Sequence, residues 1–191
     1  FQPNSYADSD FCKDYLGQRN EASADEILIT DGAYFSVENV ALSDQVNTEL
    51  VATALTGKLP DEIMADFQLS EDGTSVLACP MGHAPIKTTH YPKTGVCRAQ
   101  FPKNCCADCP HRDRCKPREQ RKTFAVHISS KTVVRAKHLR TLKSDEYIKL
   151  TRLRNGVEAM PSLLRRCYGI DNTPVFGLLP SKLFFNFAIG A

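Results

Sequence analysis

Apolar and polar positions alternate, cluster and then recur at helical spacing along this chain, and each change of pattern predicts a different element. Residues 1–25 are polar with scattered aromatics and predict a loop or short helix entering the domain. Residues 26–31, EILITD, form a short β-branched run that ends in an acid before Gly32, the pattern of a buried strand with a carboxylate at its C-terminal edge. Ser36 is a fair N-cap for a helix through VENVALSDQV, and residues 49–55, ELVATAL, predict the next strand. Strand, helix and strand at this spacing make a βαβ unit, so the second strand should run parallel to the first.

From Thr56 to about Phe101 the periodicity breaks, with Gly57, Pro60, Gly73, Pro80, Gly82, Pro85, Pro92 and Gly95 punctuating short segments. This predicts an insertion or small domain. Within it LPDEIMADF should hold one helical turn, and TSVLAC and KTTHY are candidate hairpin strands feeding a cysteine-rich stretch. A basic linker, KPREQRK, then leads to the alternating TFAVHI, a further strand. Residues 131–168 carry the strongest helical pattern, with Val133, Val134, Ala136, Leu139, Leu142, Tyr147, Leu150, Leu153, Val157 and Met160 as its apolar positions. Pro161 should kink it or open a new segment, and Gly169 should stop it. The closing LLPSKLFFNFAIGA predicts a short apolar helix docked on the core.

The 191 residues are 42% hydrophobic, enough for one sizeable core and a small satellite. No apolar run reaches 18 residues, so no membrane span is expected. The opening FQPNSYADSDFCKDY lacks the basic start and apolar core of a signal peptide, and the chain reads as a fragment or processed piece. A net charge of +2 hides an asymmetry: residues 1–78 hold 15 acidic and 3 basic side chains, residues 79–191 hold 7 acidic and 21 basic. A basic block of that size attracts a polyanion, while the acidic block would repel one unless metal ions sit there. The two blocks neutralising each other across an interface explains the charge equally well.

Six of the eight cysteines, Cys79, Cys97, Cys105, Cys106, Cys109 and Cys115, fall within 37 positions. Such clustering without a secretory signal favours metal binding in a reducing cytoplasm over a disulfide scaffold. Cys106 and Cys109 form a C-x2-C knuckle, Cys115 follows, and Cys79 stands upstream in Ala-Cys-Pro-Met-Gly-His. Four thiolates suit a closed structural Zn2+ site, which supplies folding energy to a segment too small to bury a core. The preferred ligands are Cys79, Cys106, Cys109 and Cys115. Cys105 competes with Cys106, Cys97 with Cys79, and His83 or His111 could supply a nitrogen; ordinary buried thiols are the plain alternative.

A second constellation is carboxylate. Asp31 ends a strand, and Glu158 lies on a helix with Arg152, Arg154, Arg165 and Arg166. Two carboxylates brought together from a strand end and a helix can hold Mg2+ or Mn2+. Taken alone, an acid after a strand is more often a turn or cap residue, and a Glu among arginines more often a surface ion pair.

The sequence 27–34, ILITDGAY, resembles the strand bearing the second acidic residue of bacterial insertion-sequence transposases of the DDE class, in which Asp-x-x-Tyr follows an apolar strand. Arg154-Asn-Gly-Val-Glu158 resembles the Arg-x3-Glu core of their signature Tyr-x2-Arg-x3-Glu-x6-Lys. Arg165 stands at its Lys position, and Thr151 departs from its Tyr. The cysteine insertion with Cys79-Pro80, Cys106, Cys109-Pro110 and Cys115 is similar to one carried between these motifs.

The resemblance implies an α/β chain with a partial ribonuclease-H-like fold: residues 1–56 as the first part of the catalytic core, 57–130 as the zinc-binding insertion and basic linker, and 131–191 as helices completing the core. It implies Asp31 and Glu158 as catalytic metal ligands, with the first catalytic Asp missing, since Asp8 and Asp10 stand too near Asp31. Without it the chain should not cut DNA alone unless another polypeptide supplies that segment. Arg154 and Arg165 would clamp the scissile phosphate. Lys116, Arg118, Arg121 and Lys122 beside the knuckle, and Arg135, Lys137, Arg140 and Lys143 on the helix, would contact phosphates of the element ends and target DNA; for any one of them a solvated face is the simpler explanation. His127 reads as a sheet histidine. A cytoplasmic homodimer is the expected setting. A zinc-stabilised nucleic-acid-binding module without catalysis, or a decayed transposase remnant, are the alternatives.

Overall fold

The computed structural model describes residues 6–19, 25–157, 159–169, 172 and 174–190. It divides into two compact units, residues 1–53 with 145–191, and residues 54–144. The architecture is mixed α/β.

The first unit opens with helix α1 (Asp8–Gly17), whose Asp8 and Asp10 complement the positive end of the helix dipole. Cys12 and Leu16, one turn apart, are its buried positions. Strand β1 (Glu26–Thr30), helix α2 (Val37–Gln45) and strand β2 (Thr48–Ala52) form the expected crossover, β1 and β2 pairing in parallel from Glu26↔Thr48 to Thr30↔Ala52. Ser36 caps α2 by accepting from the Asn39 N–H at 3.0 Å. The buried Asn39 amide donates to the carbonyls of Ser9 and Tyr34, each at 2.9 Å, which ties α1 and the loop after β1 to α2. Asn47, at φ 49°, turns the chain from α2 into β2, a left-handed position asparagine tolerates. Cys12, Leu16 and Leu50 form this unit's core.

The second unit begins with a 3-10 turn (Glu62–Asp66) capped by the Asp61 side chain. Strands β3 (Gln68–Leu69) and β4 (Val76–Ala78) pair antiparallel, and β5 (Lys87–Tyr91) pairs with β6 (Val96–Pro102). The two candidate hairpin strands therefore form but do not pair with each other. Each is closed by its own tight turn: Gly73, at φ +67°, lies in the first, and Gly95, at φ +64°, donates to the Tyr91 carbonyl in the second. Short helices α3 (Lys103–Ala107) and α4 (Arg112–Cys115) hold the cysteine-rich stretch. The basic linker contains β7 (Arg118–Glu119), which pairs with β8 (Thr123–Ser129), completing an antiparallel sheet of order β5-β6-β8-β7.

The inner face of that sheet carries Cys97, Ala99, Phe101, Phe124, Val126 and Ile128. Helix α5 (Ser130–Thr141), capped by Ser129, adds Val133 to the same core. Periodicity grouped α5 with the later helices, but packing assigns it to this unit. Its Arg140 grips both Asp66 oxygens, at 2.8 and 2.9 Å, and the Glu62 carbonyl. Arg114 pairs with Asp61 at 2.8 Å.

The chain then returns to the first unit as α6 (Asp145–Val157), α7 (Ala159–Tyr168) and α8 (Leu178–Gly190). The single helical stretch is thus broken after α5, where Asp145 and Glu146 start a new helix with acids in its first turn. Pro161 falls in the first turn of α7, and Gly169 ends it with φ +58°. The closing apolar segment is helical and packs against α7, but among its described side chains Leu179 and Phe187 are 69% and 77% exposed rather than buried in a core.

Truncating Phe101 to Ala, which empties the centre of the second unit's core, should cost about 3–5 kcal/mol, whereas Phe176→Ala, at a side chain 95% exposed, should change stability by under about 0.5 kcal/mol; urea unfolding followed by circular dichroism compares them. Acid should also weaken this unit. Hydrogen bonds hold three of its carboxyls below their ordinary 3.8: Asp61 through the Ile63 N–H and Arg114, Asp66 through Arg140, and Asp72, at about 2, through Ser70 and Thr74. Their stabilisation is complete above the unfolded value and fades as pH falls through the lower folded values, so the melting temperature should fall between roughly pH 4 and 2, modestly because solvent screens these exposed groups.

Candidate functional site

Strand β1 delivers Asp31 at its C-terminal end, where the following turn is closed by the Asp31 carboxylate accepting the Ala33 N–H at 2.8 Å. Helix α6 packs on both β1 and β2. Its position is fixed by Tyr147, whose hydroxyl donates to Glu49 on β2 at 2.6 Å and is pushed up by burial and that bond. Two turns further along α6, Arg154 comes within 3.5 Å of the other Asp31 oxygen. Ile29, Thr30, Asp31, Tyr34, Leu153 and Arg154 line an open cleft of about 380 Å³. The Tyr34 hydroxyl is raised by burial first, then by the negative charges of Asp8 and Asp31, with Arg154 opposing.

The structure therefore brings Asp31 and Arg154 together. Glu158 lies outside the described residues. Arg165 is exposed on α7. Asp8, set aside on sequence distance, has its charge near Tyr34, a proximity set by the Asn39 bonds that dock α1. Nothing in the local pattern of α1 signals it.

Cys79, Cys105, Cys106, Cys109, Cys115 and His111 line a small cavity of about 20 Å³ walled by Phe67, Phe101 and Val126. Burial, and then the neighbouring thiols Cys109 and Cys79, push Cys106 and Cys115 up to about 11. Backbone turns shape the approach: the Cys79 N–H donates to the His83 carbonyl, and the Cys115 N–H to that of His111. Cys97 is elsewhere, fully buried in the sheet with its S–H on the Gly73 carbonyl at 3.3 Å, and it does not compete for this cavity. His83 does not line it. Among the described residues no group of three or more His, Cys, Asp and Glu side chains stands ready-made to hold an ion, at the cysteines or at Asp31.

The expected phosphate-binding cations separate into two sets. Arg140 is bound to Asp66 and Glu62, and Arg135 donates to the Thr56 carbonyl at 2.7 Å, so a phosphate would have to displace internal partners from both. Lys116, Arg118, Arg121 and Lys122 are exposed around α4, β7 and the turn into β8. No helix among the described residues is long and apolar enough to cross a membrane.

No curated protein and no solved structure matches the chain. The family model for the transposase DDE domain matches residues 78–191, taking in the cysteine-rich segment and the later helices but not Asp31. That match spans well over half of the 191 residues, and on it the chain belongs to the transposase DDE domain family.

Proposed function

We propose that this chain carries the second and third carboxylates of an insertion-sequence transposase, Asp31 and Glu158, on a ribonuclease-H-like core that a zinc-binding insertion interrupts. The observation that carries this reading is the 3.5 Å approach of Arg154 to Asp31. Two motifs 123 positions apart meet at one strand end, and Arg154 precedes Glu158 by four. The parallel β1-α2-β2 unit and the helix seated on it agree with such a core. In domain terms, residues 1–56 and 131–191 would form the core and 57–130 the insertion, with α5 the part of the core segment that packs on the insertion.

Mg2+ or Mn2+ bound at these carboxylates would activate a water or 3′-hydroxyl and stabilise the leaving oxygen of a phosphodiester, the chemistry of DNA cleavage and strand transfer. Asp31 has the chemistry for this: a partly exposed carboxylate at the rim of an open cleft. Arg154 balances its charge and offers a planar fork of donors to a phosphate oxygen. Arg165 is the second proposed phosphate contact. The first carboxylate of the triad would come from another segment, since Asp8 and Asp10 stand too near Asp31 in sequence, and the chain alone should not cut. The substrates would be element ends and target DNA, handled by a homodimer.

For the insertion, Cys79, Cys106, Cys109 and Cys115 are the proposed Zn2+ ligands. These are four of the five thiols lining one small apolar-walled cavity, and four thiolates suit a soft tetrahedral cation, which would stabilise the thiolates that burial disfavours. A non-catalytic nucleic-acid-binding module remains the second reading, favoured by the Ala33 and Arg154 contacts that give Asp31 a purely structural use.

Calorimetric titration with Mn2+ separates the two. Asp31→Asn and Glu158→Gln should each weaken binding at least about tenfold, because each removes a charged oxygen ligand; equal binding by all three proteins ends the catalytic reading. For zinc, the Cys106→Ser, Cys109→Ser double variant should lose about one metal equivalent by atomic absorption and melt at lower temperature. Unchanged zinc content would remove the ligand assignment.

A further inference from the structure

The sheet β5-β6-β8-β7 has a second face, opposite its core. Strand register places its residues in rows. Lys87, Gln100, Ala125 and Arg118 lie side by side across all four strands, and Thr89, Arg98 and His127 form the next row. Alternation puts all of these on the side away from Cys97, Ala99 and Phe101. Lys87, Arg118 and His127 are exposed.

Among the described residues, the four strands place no carboxylate on this face. The four strands contain one acid, Glu119, which alternates to the other side of β7 from Arg118 and is paired with Lys103 at 2.7 Å. The contrast with Arg114 and Arg140 is direct, because those cations have internal acids. Arg98 keeps its Nε buried without a hydrogen-bond partner among the described residues. His127 is held below its ordinary value by burial first, and then by the positive charges of Arg118 and Arg98. Crowding guanidinium groups together and partly desolvating one is unfavourable in isolation and is relieved by a bound anion.

Rows about 7 Å apart on strands about 4.8 Å apart spread these charges over a surface rather than around one point. That spread matches a string of phosphates better than a single carboxylate. We propose that the outer face of this sheet is a docking platform for the phosphate backbone of duplex DNA, with Arg98, Arg118 and Lys87 as its contacts. The proposal rests on the family's dealings with DNA and not on Asp31 or Glu158.

The test is fluorescence anisotropy of a labelled duplex of arbitrary sequence, about 20 base pairs long, titrated with the full chain between about 50 and 200 mM salt without added Mg2+ or Mn2+. Omitting those ions keeps the result independent of the carboxylate reading. The Arg98→Ala, Arg118→Ala double variant should bind at least about tenfold more weakly, with a log–log salt slope shallower by about 2. Lys13→Ala with Lys58→Ala removes the same charge elsewhere and should leave the slope unchanged. Equal slopes for wild type and the arginine variant, or equal losses for both variants, would overturn the proposal. So would poly-glutamate competing as well as DNA. Should the alanine variant fail to fold, the wild-type His127 imidazole decides: its pKa by NMR should rise when duplex is added, and an unmoved value would count against the platform.

Discussion

The seating of α6 on the β1-β2 pair is the constraint from which the first unit's possible chemistry follows. A helix advances ~1.5 Å per residue and a strand ~3.3 Å, so the seven residues from Tyr147 to Arg154 cover roughly the same ground as the four from Ile27 to Asp31. Ile27 is the register partner of Glu49, and Glu49 holds Tyr147. One contact at each end therefore aligns helix and strand. Sliding α6 by a single residue would rotate Arg154 about 100° away from Asp31. The parallel pairing is in turn a product of the α2 crossover, and Asn39 binds the loop after β1 to both helices.

The second unit solves a different problem, that of making a small core with many cations around it. Its inner sheet face uses Cys97 and Ala99 beside Phe101, small residues that let the 3-10 turn and α5 pack closely. Arginines then bind the periphery: Arg140 and Arg114 reach acids on or beside the 3-10 turn, and Arg112 lies 5.0 Å over the Phe124 ring. These pairs are solvent-exposed and individually modest. Their value is positional, since they fasten α5 and α4 to one segment. Among the described residues the strands put no such acid on the outer sheet face, and that difference sets its cations apart from those that fasten the fold.

The cysteine-rich stretch links these themes. Its thiols sit beside the hydrophobic core, with Cys79, Cys106 and Cys115 packed against it. Protonated, they behave as small apolar groups; ionised, they are the ligands the proposed zinc site needs. Cys79 lines the cysteine cavity, whereas strand alternation turns Cys97 into the sheet's core.

The elements dictated by local rules were legible in the amino acids: β1 from its β-branched run, α2 from Ser36, the parallel β2 from the βαβ spacing, the turn in LPDEIMADF and β8 from the apolar pattern of TFAVHI. β6 was hidden because Cys97 and Ala99 give weak apolar signals and Gly95 and Pro102 bracket it with turn residues. Strand partners, the break after α5, the exposed face of α8 and the internal engagement of Arg135 and Arg140 were equally invisible. Each depends on side chains from distant positions competing for the same space or charge. Sequence by itself determined which residues could make a strand end, a cap or a thiol cluster, since neighbours a few positions away decide those. Only the tertiary structure decided that Arg154 meets Asp31 and that Arg98 meets no acid among the described residues, because packing, not spacing, selects among partners dozens of residues apart.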